Sequence, residues 1–358
     1  MNKTPSTGSK AKWKSKAIAL GFALTSLMAT SGAAAQAVET NTGIGVETAL
    51  AAVTSINDTS QANDVLKQVA EVATDAQGIS AIDAKVSGVS ITLPTDPSNS
   101  VVMQSASGVS LSIDLPKGES ADNNVVLQTG AVAYDANDGS STAAIVKTDG
   151  SIQFSTVIEN EHAPSTYTYD FSSSATLTFT VDPQTGSVSV TDTNGKWVGG
   201  IAPAWAMDSK GKKVETFYTL EGSSLTQHVD FTQPGVTFPI VADPWLGMTL
   251  VDHTSWISNP PVGPTLQVFP TPFARSQGFI STPVNPVSMS IFESFWTETL
   301  SKTATTGHPT ANTGTMYVQL ACHFYFVSKV APNKPSYNLD TNRPYLPLLA
   351  LATVNCNA

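Results

Sequence analysis

Aliphatic residues alternate one-for-one with hydroxyl residues along the middle of this chain, and that period decides what it can become. Val89, Ile91 and Leu93 are separated by Ser90 and Thr92, and Val109, Leu111, Ile113 and Leu115 by Ser110, Ser112 and Asp114. Leu177, Phe179 and Val181 are separated by Thr178 and Thr180. A period of two sends successive side chains to opposite faces, so each segment predicts a half-buried strand of an antiparallel sheet. Turn formers stand between them: Asp138-Gly139, Asp149-Gly150, Asp182-Pro183-Gln184-Thr185-Gly186 and Asn194-Gly195. Short strands at this spacing predict a β-sandwich or barrel-like domain.

The pattern assigns an all-β domain to residues 85–246, closed by Ile240-Val241-Ala242-Asp243-Pro244-Trp245. Before it, residues 38–84 place Val65, Leu66, Val69 and Val72 at helical spacing, which predicts one or two amphipathic helices in a partly mobile segment. After it, Ser255–Ile257 and Leu266–Phe269 predict strands. Met289–Leu300 predicts a helix, and Thr313 a cap for a second one carrying Met316, Leu320, Phe324 and Val327 on one face. Leu348–Val354 predicts a final buried strand. Residues 248–358 thus predict an α+β domain. The expected fold class is mixed and β-rich: an antiparallel β-sandwich-like N-terminal domain followed by a small disulfide-linked α+β domain.

The first residues bear on compartment. Lys10, Lys12, Lys14 and Lys16 precede an apolar run from Ala17 to Met28 and a small-residue exit ending Ala35-Gln36-Ala37. That order predicts a secretory signal peptide over 1–37, too short in its apolar part to span a bilayer as a stable helix. No later apolar stretch is long enough for an anchor, so the mature chain is expected to be secreted or held non-covalently at the cell envelope. Removing 1–37 takes five lysines and no acid, leaving 13 basic against 28 acidic residues, a formal charge of −15. Nucleic acid and anionic lipid are poor partners for that balance. Cys322 and Cys356, an even pair in an exported chain, predict a disulfide.

The last third carries Trp256, Leu266-Gln267-Val268-Phe269-Pro270-Thr271 with Arg275, and Trp296-Thr297-Glu298. It continues with Met316-x-x-Gln319-x-x-Cys322-His323, Asn338-Leu339-Asp340, Arg343-Pro344 and Cys356-Asn357. In order and spacing this resembles a family of unknown function found in secreted actinobacterial proteins, with Tyr337 where the resemblance leads one to expect tryptophan. The segments Ala204–Asp208, Leu225–Asp230 and Phe238–Pro244 look like a β-domain recurrent in actinobacterial exported proteins. The resemblance implies export and architecture, and no reaction.

Catalytic motifs do not emerge. The histidines His162, His228, His253, His308 and His323 show no i, i+4 pair and no His-Glu-x-x-His, so no metal or cofactor is expected. Asp135-x-Asn137-Asp138 lacks the glycine and terminal glutamate of a calcium loop. Gly-x-Ser-x-Gly is absent, and Cys322 beside His323 would project about 100° away from it on a helix. The best ligand cluster is Arg275, Gln319, His323, Asn338, Asp340 and Arg343. Gln319 and His323 share a helix face, and Arg343 offers a fork for a carboxylate or phosphate. Its bland alternative is a set of internal ties holding the Asn338–Pro344 loop to the helix. Trp205, Trp245, Trp256 and Trp296 can form a carbohydrate platform or, more ordinarily, core. The sequence therefore favours a non-enzymatic binding or structural module meeting an unknown envelope component or extracellular ligand. The rivals are an extracellular hydrolase with a site near His323, and a secreted effector.

Overall fold

The computed structural model describes residues 45–56, 64–75, 77–259, 262–304, 314–354 and 356. The leader and Thr313 lie outside them. Residues Thr42–Ala358 pack as one compact unit.

Alternation builds the first sheet as read. Its seven antiparallel strands run β1 (Ser80–Val86), β2 (Val89–Pro94), β3 (Val101–Gln104), β4 (Ser110–Asp114), β9 (Thr166–Ser173), β15 (Ser224–Asp230) and β14 (Glu215–Glu221). Ile91, Leu111, Ile113, Tyr169 and Leu225 point into the core, and the intervening hydroxyls and carboxylates face out. The second sheet has ten strands: β10 (Thr178–Val181), β11 (Val188–Thr191), β12 (Trp197–Ile201), β17 (Trp245–Gly247), β8 (Ile152–Ile158), β7 (Ser140–Val146), β6 (Ala131–Asp135) and β5 (Val125–Gln128), with β16 (Ile240–Ala242) laddered onto β8 and β13 (Ala206–Asp208) onto β16. The main core lies between the two sheets.

The second sheet departs from the one-wet-face expectation. Every residue of β7 and β8 is buried, including Ser141, Thr142, Gln153, Ser155 and Thr156. Its outer face is covered twice. A helix over 45–54 (α1) lays Val46, Ala49, Leu50 and Val53 on Ala133, Ala143 and Ile145. Farther along, Trp197, Ala202 and Trp245 join the core of the C-terminal third.

The helix expected through Val65, Leu66, Val69 and Val72 does not form. Lys147 Nζ donates to the carbonyls of Asp64 (3.0 Å), Val65 (2.6 Å) and Lys67 (3.0 Å), and Val69 bridges to Lys147 in extended conformation. Carbonyls committed to a distant ammonium are not free for an intrahelical ladder, and Gln68 sits at φ 55°.

The C-terminal third is a three-stranded antiparallel sheet, β18 (Val251–Asn259), β19 (Gly263–Pro270) and β20 (Tyr337–Asp340), packed on helices. These are α2 (Pro272–Ile280), α3 (Pro286–Lys302) and α4 (Gly314–Cys322). The last continues through a π turn at His323–Val327 into Ser328–Val330. The strand expected at Leu348–Val354 is instead a short helix, α5 (Leu348–Ala352), with Leu351 buried and Leu349 71% exposed. In the C-terminal sheet, side chains of α4 already occupy the outer edge of β20. Cys322 and Cys356, both buried, form the predicted disulfide and tie α4 to the segment after α5. Closing that 34-residue span stabilises the fold by about 3–4 kcal/mol on the chain-entropy argument.

Two helix N-termini are seated on turns of the sandwich. Asp149 Oδ2 accepts from Phe273 N at 3.1 Å, in the first turn of α2. Asn285 caps α3 through Oδ1, which accepts from Val287 N and Ser288 N, while its Nδ2 donates to Asp182 Oδ2 at 2.8 Å. A carboxylate at a helix N-terminus complements both its orphan donors and its dipole. The Phe273 ring then lies so close to β17 that a Cβ on Gly247 would come within 2.4 Å of it. Between the sheets, fully buried Asp243 accepts from Trp205 N (2.9 Å) and Gln227 Nε2 (3.3 Å). Burial pushes its carboxyl well above the usual carboxylate range.

Gly247→Ala should destabilise the protein by about 1–3 kcal/mol in chemical unfolding, because Phe273 must give way. The Asp243 proton predicts a pH effect of definite sign. The unfolded chain releases it near pH ~4, the folded chain well above, so its contribution is full in acid and is lost as pH rises through the folded value. Asp243→Asn keeps the Oδ1 acceptor without the ionisation. Its melting temperature should gain progressively on the parent as pH rises above about 4 in calorimetry.

Candidate functional site

The structure brings the six candidate residues together and engages each of them with neighbouring protein groups. Gln319 on α4 turns its amide to the outer edge of β20. Its Nε2 donates to Asp340 O at 3.0 Å, and its Oε1 accepts from Asp340 N at 2.8 Å. One turn on, His323 Nε2 donates to Asn338 O at 3.2 Å. The i, i+4 spacing thus delivers two side chains to one strand, where they stand in for the neighbour that β20 lacks.

The others extend this seal. Asp340 Oδ2 accepts from Arg343 Nε at 3.0 Å, and its Oδ1 accepts from Thr265 Oγ1. Asn338 Oδ1 accepts from Ser336 Oγ at 3.0 Å and Gln267 Nε2 at 3.5 Å. Arg275 donates to the carbonyls of Lys334 and Pro335, with its guanidinium 5.9 Å from the centre of the Tyr337 ring. Burial lowers that guanidinium from its ordinary value, and the nearby Tyr337 works the other way. His323 has no solvent exposure and stacks on Tyr337 with ring centres 5.1 Å apart.

The other outer strand, β18, is tied to the end of α3 by different means, its own side chains donating to main-chain carbonyls there. Thr254 Oγ1 donates to Lys302 O at 2.8 Å, Trp256 Nε1 donates to Ala304 O at 3.0 Å, and Leu250 N donates to Glu298 Oε2 at 2.8 Å. The tryptophans make no common platform. Trp245 is buried edge-on to Phe273, donating to Ser151 Oγ at 2.9 Å, and Trp296 is buried beside Tyr317. Asp135 and Asp138 close a turn on Asn137 N and Ser140 N. His308 lies outside the described residues.

Comparison with known proteins places the C-terminal third. Residues 251–358 match a family described as a protein of unknown function, DUF2599. The match begins at β18 and takes in the edge-sealing network and the disulfide. The chain is also similar to two mycobacterial proteins, the uncharacterized protein Rv0477 of Mycobacterium tuberculosis and the uncharacterized protein Mb0487 of Mycobacterium bovis. Each is 29% identical over 138 residues, which is 38% of this chain and 85% of theirs.

A surface that motif reasoning did not single out lies on the sandwich. Asp114 on β4 and Asp170 on β9 are directly opposed in register, both exposed on the outer face. They border a groove of about 490 Å³ with Glu119, Lys117, Thr166 and Thr168. Like charges so placed repel. Ser100 Oγ donates to Asp114 and Ser224 Oγ to Asp170, which offsets part of that cost. The sequence signal was the alternation itself: with Leu111 and Ile113 inward, Asp114 continues the outward set.

Gln319→Leu leaves both backbone groups of Asp340 unpaired in a buried place and should cost about 2–3 kcal/mol in urea unfolding. Asn338→Ala, which leaves the strand edge paired, should cost about 1 kcal/mol.

Proposed function

We propose that this chain is an exported, non-enzymatic binding module of the cell envelope or extracellular medium, and that it binds through the outer face of its seven-stranded sheet. The observation that carries this reading is the composition of that face. Its outward positions are Ser112 and Asp114 on β4, Thr166, Thr168 and Asp170 on β9, Ser224, Thr226, His228 and Asp230 on β15, and Glu215, Thr219 and Glu221 on β14. Hydroxyls and carboxylates in ladder order, such as the Thr168–Thr226 pair at 2.8 Å, suit a polar polymer lying across the strands. The acidic balance of the chain disfavours an anionic one.

The export half of the reading rests on the charged, apolar and small-residue order of residues 10–37, supported by the disulfide between two buried cysteines. A hydrolase centred on His323 fits less well, since that ring is buried and bonded to the strand it supports.

Co-sedimentation of the mature protein with purified peptidoglycan and with cell-wall polysaccharide tests the binding. Retention in a pellet is expected, weakened several-fold in the Asp114→Asn, Asp170→Asn double variant at unchanged melting temperature. Protein that stays wholly in every supernatant refutes the reading. Mass spectrometry of the secreted product should find Val38 first and no thiol open to alkylation.

A further inference from the structure

Within the polar face one large apolar side chain stands out to solvent. Phe217, on β14, is 55% exposed. It is paired across the ladder with His228 of β15, and the two rings lie face to face, 4.7 Å apart and 8° from parallel. Neighbouring strands run about 4.8 Å apart, so rings stacked at this spacing stand upright on the sheet, each turning one face to the other. β14 is the last strand of its sheet. The second face of the Phe217 ring therefore has no strand of its own sheet beside it.

The stack is held in place. His228 Nε2 and Thr219 Oγ1 share a hydrogen bond of 2.8 Å, which fixes the imidazole against the phenyl ring. Glu215, two residues before Phe217 and on the same face, accepts from Gln233 Nε2 at 2.8 Å. Thr219, Glu215 and Gln233 thus ring the aromatic surface with one hydroxyl, one carboxylate and one amide. An upright ring more than half exposed, bordered by groups that both donate and accept, is complementary to a sugar. A pyranose presents a sheet of C–H bonds on one face and hydroxyls around its rim. Its C–H face suits the electron-rich ring, and the rim suits the flanking polar groups. A planar cation would also suit a ring face, but the hydroxyl and amide beside the ring match a sugar's rim, and a cation calls for neither.

We infer that Phe217, backed by His228, is a stacking site for one pyranose unit of a neutral polysaccharide. This rests on the proposed binding role of the same sheet face and names the chemistry of its partner. Phe217 is the contact residue. His228 is a positioning residue that keeps the ring upright.

Calorimetric titration of the mature protein with cellotetraose and with chitotetraose tests it, alongside co-sedimentation with peptidoglycan and with neutral wall polysaccharide. Binding to at least one tetrasaccharide is expected, weakened about three- to tenfold in Phe217→Ala. Phe217→Trp should retain or tighten it. His228→Phe, which keeps a flat backing ring, should retain it, and His228→Ala should weaken it. All four variants should melt within a few degrees of the parent, since the site is on the surface. Preference for chitotetraose together with peptidoglycan would assign the sugar to the peptidoglycan glycan strand, and preference for cellotetraose together with wall polysaccharide to a neutral wall polymer. A parent that pellets with polymer while Phe217→Ala pellets equally well would overturn this inference and leave the proposed function standing. A parent that binds neither tetrasaccharide nor polymer would remove both.

Discussion

The central strands β7 and β8 of the ten-stranded sheet have no wet face, and much of the structure follows from that constraint. A sheet between two cores must find partners for every polar group it carries. Lys147 spends its ammonium on three carbonyls of the 64–67 segment, and Asp149 spends a carboxylate oxygen on the first turn of α2. Ser151 takes the indole N–H of Trp245. These residues belong to one strand end and one turn, so a few positions around the β7–β8 turn attach both the N-terminal segment and the C-terminal third. The attachment is polar at the helix ends and apolar between them, where Phe273 lies between Trp197 and Trp245.

Legibility in the sequence tracked the number of faces an element buries. In the seven-stranded sheet one face is wet, and strict alternation named its inward residues correctly. In β7 and β8 both faces are dry, so Ser-Ser-Thr-Ala-Ala-Ile-Val carries no period to read. The helix through Phe292, Phe295 and Trp296 was legible because one stripe enters the core. Val65, Leu66 and Val69 show helical spacing because a loop presents them to the core under α1, which is a packing fact and not a backbone one. The residues that decide the outcome, Lys147 above all, are some 80 positions away. Leu348–Val354 failed for a related reason: a run of apolar residues looks like a strand until the edge it would join is known to be taken.

The candidate cluster was legible as a cluster but not as a purpose. Gln319, His323 and Asp340 do converge, as the spacing implied. What spacing cannot distinguish is an amide aimed at a ligand from an amide aimed at a strand edge, because both need the same donor and acceptor. An edge strand left bare invites pairing with other chains, and a three-stranded sheet has two such edges to manage. Here helix side chains close the β20 edge, side chains of β18 reach the end of α3, and the disulfide fixes the end of the helix that closes β20.

That division of labour bears on where recognition can reside. Residues whose hydrogen bonds hold strands together cannot turn to a ligand without leaving buried backbone groups unpaired, at a cost of about 1–3 kcal/mol each. The outer face of the seven-stranded sheet is under no such obligation. Its Ser, Thr, Asp and Glu side chains stand on laddered backbone and bond largely to one another, as Ser224 to Asp170 and Thr168 to Thr226, so a change of partner leaves no buried backbone group unpaired. The polar cluster of the C-terminal third thus serves the fold, while the outer face of the sandwich can change partners without unpairing buried backbone. A substitution that weakens binding without touching stability should therefore be found on the open sheet rather than beside the disulfide.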